Sequence, residues 1–327
     1  MVKVLVTGGL GVNGSSVTRR LLQRGHLPVV LENRPDLSLV RDLAGQFPVV
    51  QADITDLDAL LRAMEQHEVE RVVHMAALMP GQVQADPALG FRVNALGAVN
   101  VFEAAHRLGL RRVVFTSSKA AYGEITSPEH RHPTYWPLRE DHESRPVLVY
   151  DVCKVAAEGI GRNYRRNHGL EFAALRFGTI YGPGKLVRHG KVSILSQMIE
   201  NAVAGVPTVV PQGGEQQDDM VYVEDVAEGV VLAVLADRLE HDTYNIGSGR
   251  GSTLHDLAGA VRECFADARV DIGPGLDYLQ MGVDYYSVFD ITRARRDLGY
   301  APQFTLSSGV RHYVETMQRL GLAAQVG

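Results

Sequence analysis

The sequence is poor in cysteine and contains no long hydrophobic run. Only 2 of its 327 residues are cysteines, Cys153 and Cys264, and they lie far apart. Two distant cysteines argue against a disulfide framework and fit a reducing compartment. No run of about eighteen apolar residues occurs, and no charged segment followed by an apolar stretch opens the chain. We therefore expect a cytoplasmic protein with no membrane partner.

The chain also lacks an excess of positive charge. Its 33 Lys and Arg residues are outnumbered by 38 Asp and Glu residues, which gives a net charge of −5 at pH 7. The basic residues are scattered, apart from short pairs such as Arg111-Arg112. Such a chain offers no basic field for nucleic acid, so we expect a small-molecule substrate as its partner.

What is present is a regular alternation of strand and helix patterns. With 45% hydrophobic residues, the chain can bury a large core. Apolar, β-branched segments predict strands at 2–6, 28–32, 48–51, 71–75, 112–116 and 171–177, and helical patterns lie between them at 15–24, 56–65, 87–107 and 147–167. This alternation predicts an α/β fold whose parallel sheet is covered on both faces.

A glycine-rich turn separates the first strand from the first helix. A glycine has no Cβ to hold a pyrophosphate away from the backbone, and free N–H groups at a helix start form an anion site. Three glycines also fit a plain turn, but the order of strand, glycine loop and helix is typical of a dinucleotide site in a Rossmann-type, doubly wound sheet. The predicted cofactor contacts in this turn are Gly8, Gly11, Val12, Asn13 and Gly14.

Glu32 closes the second strand, 18 residues beyond Gly14. A carboxylate there can accept hydrogen bonds from both hydroxyls of an adenosine ribose and repels a 2′-phosphate, which favours NAD over NADP. Arg34 is a counter-signal, because an arginine can pair with that phosphate. A capping acid at a strand end is the structural alternative. We predict NAD as the cofactor.

Two later strand ends carry further candidates. Asp53-Ile54 follows the third strand, where an acid and an apolar side chain can bracket an adenine, although residues 55 and 56 equally suit a helix N-cap. Ala76-Ala77 follows the fourth strand, and its small side chains let a ribose or phosphate lie against the backbone. A turn of small residues without a ligand is the alternative there.

Tyr150 and Lys154 are four residues apart at the start of a predicted helix. This spacing puts both side chains on one helix face, and a nearby ammonium lowers the pKa of a tyrosine so that it can act as a general acid or base. The pair is also common on solvent-exposed helices. It gains weight from Thr116-Ser117-Ser118 at the end of the fifth strand, where a hydroxyl can hydrogen-bond a substrate oxygen.

A series of short motifs runs along nearly the whole chain. They are Thr7-Gly8-x-x-Gly11-x-x-Gly14, Asp53-Ile54, His74-x-Ala76-Ala77, Asn94-x-x-Gly97, Ser117-Ser118-x-x-x-Tyr122-Gly123, Tyr150-x-x-x-Lys154, Arg176-x-x-x-x-Tyr181-Gly182-Pro183, Tyr222-Val223-Glu224-Asp225-Val226-Ala227, Tyr244-Asn245-Ile246-Gly247 and Asp290-x-x-x-Ala294-x-x-x-Leu298-Gly299. Together they resemble the extended short-chain dehydrogenase/reductase family, which includes the NAD-dependent epimerases and dehydratases.

The resemblance implies roles for the matching residues. Tyr150 would be the acid/base, Lys154 would hold the nicotinamide ribose and depress the tyrosine pKa, and Ser118 would orient the substrate oxygen. The cofactor would also lie near Asn94, Thr116, Ser117, Phe177 and Gly178. Members of this family commonly dimerise through the helices that correspond to 87–107 and 147–167, so the resemblance implies a homodimer.

The regular alternation of strand and helix patterns ends after Phe177. Clustered Gly and Pro residues and helical patterns near 191–203, 224–236, 253–265 and 306–319 suggest a smaller C-terminal α/β lobe. Because ligands bind at the carboxyl ends of parallel strands, this lobe should supply the substrate side. We predict an NAD-binding domain at 1–178, to which 219–247 returns, and a substrate-binding lobe at 179–218 and 248–327.

Three departures from the family pattern bear on the substrate. Sugar-nucleotide epimerases of the family usually have an asparagine at the place of Thr179, a diphosphate-binding arginine at that of Asp218, and a second arginine shortly before the Asp290 motif, where 281–286 has none. A diphosphate needs charge-assisted donors and is repelled by an acid, so these departures argue against a nucleotide sugar. The missing charge could come from another loop, which holds Arg188, His189 and Lys191.

The residues that follow Ser118 limit the types of reaction to be expected. Dehydratases usually carry an Asp-Glu pair just after it, whereas Lys119-Ala120 stands here, so dehydration is not expected. The insert 124–146 is either a lid, with Trp136 or a histidine touching the substrate, or a solvated loop; its histidines lack zinc-motif spacing, so no metal is expected. Candidate substrate contacts are Met79, Ser118, Lys119, Tyr122 and Thr179.

The sequence predicts an NAD-dependent oxidoreductase that takes a hydride from a secondary alcohol of a small polar, sugar-like or hydroxy-acid substrate, using a Ser-Tyr-Lys triad. The alternative is a nucleotide-sugar epimerase, in which the same hydride leaves and returns to the other face. A cofactor-sensing protein without turnover is a third hypothesis. It is disfavoured because relatives of that kind usually lose the tyrosine or the lysine, and both are present here.

Overall fold

The computed structural model describes residues 1–189 and 193–326. Its strands are β1 (Lys3–Thr7), β2 (Leu27–Glu32), β3 (Val49–Gln51), β4 (Arg71–His74), β5 (Arg112–Thr116), β6 (Glu171–Phe177), β7 (Thr179–Tyr181), β8 (Thr208–Val210), β9 (Asp218–Tyr222), β10 (Thr243–Ile246), β11 (Gly251–Ser252) and β12 (Val270–Ile272). Its α-helices are α1 (Val12–Gln23), α2 (Leu57–Gln66), α3 (Pro80–Ala85), α4 (Pro87–Phe91), α5 (Gly97–Arg107), α6 (Val149–His168), α7 (Lys185–His189), α8 (Ile194–Val203), α9 (Val223–Leu235), α10 (Leu254–Cys264), α11 (Thr292–Leu298) and α12 (Leu306–Arg319).

Seven parallel strands form the central sheet, in the order β10-β6-β5-β4-β1-β2-β3. Successive side chains of a strand point to opposite faces, and in β1 Val4 and Val6 join one hydrophobic core while Leu5 joins the other. Helices α1 and α9 contribute to the first core, and α2, α5 and α6 contribute to the second. Burial on both faces explains why the strands are continuous apolar runs rather than alternating ones.

The carboxyl ends of the parallel strands meet at one edge of the sheet. Thr7, Glu32, His74, Thr116 and Phe177 are the last residues of β1, β2, β4, β5 and β6. The turns that follow these residues carry most of the side chains predicted for the cofactor and the reaction. The order of the strands therefore brings segments separated by more than a hundred residues to one place.

The C-terminal part adds two smaller sheets. Strand β9 lies between β7 and β11, and β8 pairs with β12. Within the segment 219–247, α9 packs against α1 and β10 is an edge strand of the central sheet, whereas β9 belongs to the small sheet. The division of the chain into an NAD-binding domain and a substrate lobe stays a prediction.

The helix expected over 87–107 is present, with one π turn inside it. Pro87 begins α4 after an Asp86 cap, a π turn follows at Arg92–Leu96, and α5 begins only at Gly97. π turns inside helices are frequent at functional sites. None of the helices within the described ranges has both the length and the apolar character needed to cross a bilayer.

Candidate active site

A cavity of about 760 Å³ lies at the carboxyl edge of the central sheet. Most residues predicted for the cofactor and the substrate line its walls. They are Gly8, Gly11, Val12, Asn13, Gly14, Glu32, Asp53, Ile54, Ala76, Ala77, Met79, Thr116, Ser117, Ser118, Lys119, Tyr150, Lys154, Phe177, Gly178 and Thr179. We call the part lined by the turns after β1 to β4 the cofactor half, and the part lined by residues 119, 179–189 and 279–286 the substrate half.

The glycine loop is as tightly packed as its sequence suggested. Gly8 has a φ of +71°, and a Cβ there would lie 2.8 Å from the Ala76 nitrogen. A Cβ on Gly14 would lie 2.0 Å from the Gly8 carbonyl oxygen. Only glycine lets the start of α1 come this close to the turn after β1.

The start of α1 offers polar groups that fit a dinucleotide. Gly11 is the N-cap, and no side chain caps this helix. The first backbone N–H groups of such a helix are free to bind an anion. Asn13 lines the cavity, and its Oδ1 atom is buried without a hydrogen-bond partner among the described residues. The free N–H groups and the close glycine turn fit the pyrophosphate of NAD, while the Asn13 oxygen, an acceptor, would need a donor.

Glu32 lies where the adenosine ribose is expected. Its Oε1 atom accepts a hydrogen bond of 2.9 Å from the Leu10 N–H, and the residue lines the cavity. Burial raises the pKa of Glu32 above its usual value, while the Leu10 N–H lowers it. Arg34, the counter-signal for NADP, also lines the cavity.

Both interpretations of the segment after β3 hold in part. Asp56, not Asp53, caps α2 by accepting a hydrogen bond from the Ala59 N–H. Asp53 lines the cavity and accepts hydrogen bonds from the N–H and the hydroxyl of Thr55. Ile54 is buried beside Gly97, where a Cβ would lie 2.7 Å from the isoleucine Cδ1. The side chains of Asp53 and Ile54 are therefore held at the cavity wall.

Ser118, Tyr150 and Lys154 are brought together by β5 and α6. Tyr150 and Ser118 line the same cavity, and the Ser118 side chain acts on the Tyr150 phenol by lowering its pKa. Lys154 Nζ donates a 2.8 Å hydrogen bond to the Thr116 carbonyl and lies 5.5 Å from the centre of the Tyr150 ring. All three predicted triad residues line one cavity, so the geometry allows a proton donor, an oxygen-holding hydroxyl and an ammonium to act on one ligand.

The predicted lowering of the Tyr150 pKa is wrong for this structure. Burial raises the pKa of the Tyr150 phenol above its usual value, and the adjacent Asp151 carboxylate raises it further, against the hydrogen bond with Ser118. Lys154 does not offset this, because its ammonium lies over the ring rather than at the hydroxyl. Burial lowers the pKa of Lys154 to about 8, while Glu158 opposes that shift.

Glu158 is a buried carboxylate under the triad that the sequence analysis missed. It accepts a 2.6 Å hydrogen bond from the Ser117 hydroxyl and hydrogen bonds of 3.0 and 2.8 Å from Arg176. Burial raises the pKa of Glu158, but Arg176 and Ser117 outweigh burial and the pKa lies below its usual value. The spacing Tyr150, Lys154, Glu158 places all three on one helix face and could have revealed it.

Two predicted contact residues lie outside the cavity walls, and the Ser117 side chain turns away from the cofactor. The amide of Asn94 bonds the N–H and the carbonyl of Leu78 at 2.7 and 2.9 Å, so it holds the loop after β4 rather than a ligand. The Tyr122 hydroxyl donates to Asn245 at 2.6 Å inside the core, which leaves no group for the substrate. The Ser117 hydroxyl is committed to Glu158.

The insert 124–146 does not form the predicted lid over the described cavity. Its main chain bonds the C-terminal segment, from Ile125 N–H to the Asp284 carbonyl and from Leu138 N–H to the Val288 carbonyl. Trp136 is 61% exposed and lies outside the cavity walls. No group of three potential metal ligands occurs within residues 1–189 and 193–326.

The substrate half contains a buried ion pair. Lys119 Nζ lies 2.7 Å from the Asp218 carboxylate and 2.7 Å from the Thr179 hydroxyl, and the Tyr278 hydroxyl donates to the same carboxylate at 2.8 Å. The Asp218 side chain is fully buried. Asp218 therefore balances Lys119 in the cavity wall, and the expected repulsion of a diphosphate by a free acid does not arise.

Arg188, His189 and Lys191 are the residues that could supply positive charge to a diphosphate, and the structure places Arg188 and His189 differently. Arg188 donates to the Leu10 carbonyl and to Asp36, each at 2.6 Å, so it turns toward the glycine loop. His189 lines the cavity. Lys191 lies outside the described residues. The sequence analysis did not anticipate Lys185, which lines the substrate half, or Tyr285, whose hydroxyl donates to Asp151 at 2.5 Å.

Comparison with known proteins identifies relatives over the whole chain. A UDP-glucose 4-epimerase from Mycolicibacterium smegmatis is 31% identical over 323 residues, which cover 96% of this chain and 98% of that protein. A putative UDP-glucose 4-epimerase from Methanocaldococcus jannaschii is 28% identical over 317 residues, with the same coverage of 96% and 98%.

A solved structure has the same architecture. The UDP-glucose 4-epimerase of Thermus thermophilus, determined in complex with NAD, superposes with a TM-score of 0.81 at 29% identity and covers 97% of this chain and 99% of its own. The predicted α/β fold of Rossmann type is confirmed by this likeness. The model of the NAD dependent epimerase/dehydratase family matches residues 4–247, which confirms the predicted resemblance and NAD as the cofactor. The chain is an enzyme that belongs to the NAD-dependent epimerase/dehydratase family.

Proposed function

We propose that the protein uses NAD to oxidise a secondary alcohol of a small polar, sugar-like or hydroxy-acid substrate. The observation that supports this most strongly is the convergence of the glycine loop, Ser118, Tyr150 and Lys154 on one cavity. NAD, when bound, supplies the hydride acceptor. Residues 1–178 with 219–247 would hold the cofactor, and 179–218 with 248–327 would hold the substrate.

The protein's own groups would move the proton and hold the reacting oxygen. Ser118 would hydrogen-bond the alcohol oxygen, and Tyr150, which lines the same cavity, would exchange the proton of that oxygen. Lys154 would bind the nicotinamide ribose while the Thr116 carbonyl and Glu158 fix its position. The buried position of the phenol keeps this exchange away from bulk water.

A nucleotide-sugar epimerase is the second candidate. It is favoured by the 31% identity over 96% of the chain to a UDP-glucose 4-epimerase. It is disfavoured because Asp218, buried behind the wall of the substrate half, occupies the place where a diphosphate-binding arginine is expected, and Lys119 is already paired with that aspartate. Both candidates share the first step, which is oxidation of a secondary alcohol.

The experiment that separates the candidates is a substrate panel assayed in the presence of NAD. The panel contains neutral sugars, sugar acids, hydroxy acids and UDP- or dTDP-sugars, and both NADH absorbance and product stereochemistry are measured. Net NADH with a free sugar, sugar acid or hydroxy acid supports the dehydrogenase. Isomerised nucleotide sugar without net NADH supports the epimerase, and turnover of no compound by protein that binds NAD contradicts both.

We also infer a homodimer that pairs through α5 and α6, as the family resemblance implies. Leu96, just before α5, and Val152 on α6 are 50% and 42% exposed, so apolar side chains are available for this pairing. Leu96→Glu should shift the sedimentation profile from dimer to monomer. A monomeric unaltered protein at micromolar concentration would contradict this inference.

A further inference from the structure

Two side chains of the short helix α7 face the substrate half of the cavity. Lys185 and His189 are four residues apart, so they share one helix face, and both line the cavity. Lys185 Nζ donates a hydrogen bond to the Ile180 carbonyl. His189 Nδ1 is buried and has no hydrogen-bond partner in the described part of the chain.

Lys185 has no carboxylate counter-ion of its own within residues 1–189 and 193–326. The two charges that act on it are the repulsive Lys119 and the attractive Asp218. Lys119 and Asp218 already form a 2.7 Å ion pair, and the repulsion from Lys119 is the larger of their two effects on Lys185. Burial and the nearby Lys119 lower the pKa of Lys185 to about 7.

The neighbouring charged groups are occupied by other partners. Arg188 pairs with Asp36 on the cofactor side. The Asp151 carboxylate accepts hydrogen bonds from the Tyr285 hydroxyl and the Leu148 N–H. The substrate half thus offers, among the described residues, the Lys185 amino group, which has no carboxylate of its own, and the ring of His189, which lines the cavity although its Nδ1 atom is buried.

We infer that Lys185 and His189 bind a carboxylate of the substrate. A carboxylate has one negative charge and two acceptor oxygens, which match one ammonium and one imidazole N–H. A nucleotide diphosphate carries more charge, and Lys119 is not free to neutralise the excess because Asp218 holds it. This inference rests on the proposed function and specifies its substrate class as a hydroxylated carboxylic acid, such as a sugar acid, that is oxidised at a secondary alcohol.

The test compares sugar acids with their neutral methyl esters on the full chain saturated with NADH. D-glucuronate, D-galacturonate and D-gluconate are each paired with the methyl ester, so that the compared ligands differ in the charged carboxylate. Affinity is measured by calorimetry, which needs no turnover. At least one acid should bind about tenfold more tightly than its ester, as expected for a charge-assisted contact. Equal affinity within every pair, including no binding by either ligand, overturns the inference.

Variants at Lys185 test whether this residue causes the preference for the acid over its methyl ester. Lys185→Met keeps the length of the side chain and should bring the acid-to-ester affinity ratio close to one, whereas Lys185→Arg keeps the charge and should preserve most of the ratio. Lys3→Met, which removes a lysine paired with Glu68 on the surface, is the matched control and should change nothing. If Lys185→Met does not fold, the comparison of acid and ester in the unaltered protein decides. An acid preference that survives Lys185→Met overturns the inference.

Two further measurements separate this inference from the proposed function. Tyr150→Phe should still bind the acid while losing turnover. If every form of the protein, the unaltered one included, binds the acid but none turns it over, the proposed function is contradicted and the carboxylate site is not. NADH formation from neutral sugars but from no sugar acid overturns the carboxylate site alone. Tighter binding of D-glucose 6-phosphate or UDP-glucose than of every acid, lost in Lys185→Met, shows a phosphate site instead and also overturns it.

Discussion

The two halves of the cavity are built in different ways. The cofactor half consists of backbone and side chains that directly follow strands of the central sheet, such as Gly8 after β1 and Ala76 after β4. The substrate half depends on side chains far apart in sequence, since Lys119, Asp218 and Tyr278 form one hydrogen-bonded cluster. The cofactor half is thus fixed by the sheet, while the substrate half is fixed by tertiary packing that a change in one loop can alter.

The largest effect is expected at the residue proposed to serve both halves. Tyr150→Phe removes the hydroxyl that exchanges the proton, and general acid–base catalysis contributes about 10²–10⁴-fold, so kcat should fall by that factor. The Kd for NAD should change little, because the ring stays in place. Stopped-flow or steady-state NADH formation measures the first, and fluorescence titration measures the second.

The control for this variant lies on the same helix. Tyr164→Phe removes a hydroxyl that donates to Glu103 outside the cavity, so it should leave kcat nearly unchanged. A full loss of activity in Tyr164→Phe, or full activity in Tyr150→Phe, would refute the assignment of Tyr150 as the acid/base.

The next largest effect is expected in the substrate half. Asp218→Asn breaks the buried pair with Lys119 and leaves a lysine without its counter-ion, which typically destabilises a protein by about 3–5 kcal/mol. Glu143→Gln breaks an exposed pair with Arg145 and should cost about 1 kcal/mol or less. Urea unfolding of both variants measures the difference in free energy. Equal destabilisation would show that the Asp218 pair is not buried as described.

A smaller loss of stability is expected in the cofactor half. The methyl group of Gly14→Ala would lie 2.0 Å from the Gly8 carbonyl, and the resulting shift of the loop should cost about 1–3 kcal/mol and weaken NAD binding. Gly159→Ala on α6 is the matched control, because a Cβ there meets open space. If the two alanine variants bind NAD equally well, the glycine loop is not the cofactor site.

The contrast between the halves also explains what could be predicted. The glycine loop, Glu32 and the Tyr150–Lys154 pair are recognised by local spacing in the sequence. Because parallel strands bring their carboxyl ends to one edge of the sheet, the cofactor half could be predicted from the sequence. The helix over 87–107 also follows from its local pattern, but the π turn at Arg92–Leu96 inside it, which carries the Asn94 bonded to Leu78, could not be predicted from that pattern.

What escaped prediction depends on burial and on partners distant in sequence. The pKa of Tyr150 was predicted from Lys154 alone, whereas burial of the phenol dominates. Tyr122 was predicted to contact the substrate, but Asn245 holds its hydroxyl in the core. Asp218 looked like a repulsive acid because its partner Lys119 is 99 residues away. No spacing rule reports such pairs.

The smallest effect is a pH dependence of stability from His74, the buried last residue of β4. Burial and the nearby Lys154 lower the pKa of His74 from its usual 6.5 to about 3, so the folded protein holds the ring neutral. Between these pH values the unfolded chain binds the additional proton, and stability therefore falls as the pH falls, by up to about 1.4 kcal/mol per pH unit. His74→Asn, which can keep a hydrogen bond with Thr7, should lack this part of the slope when urea midpoints are compared between pH 7 and 5. The same slope in both proteins would mean that the His74 ring becomes charged without cost and is not buried as described.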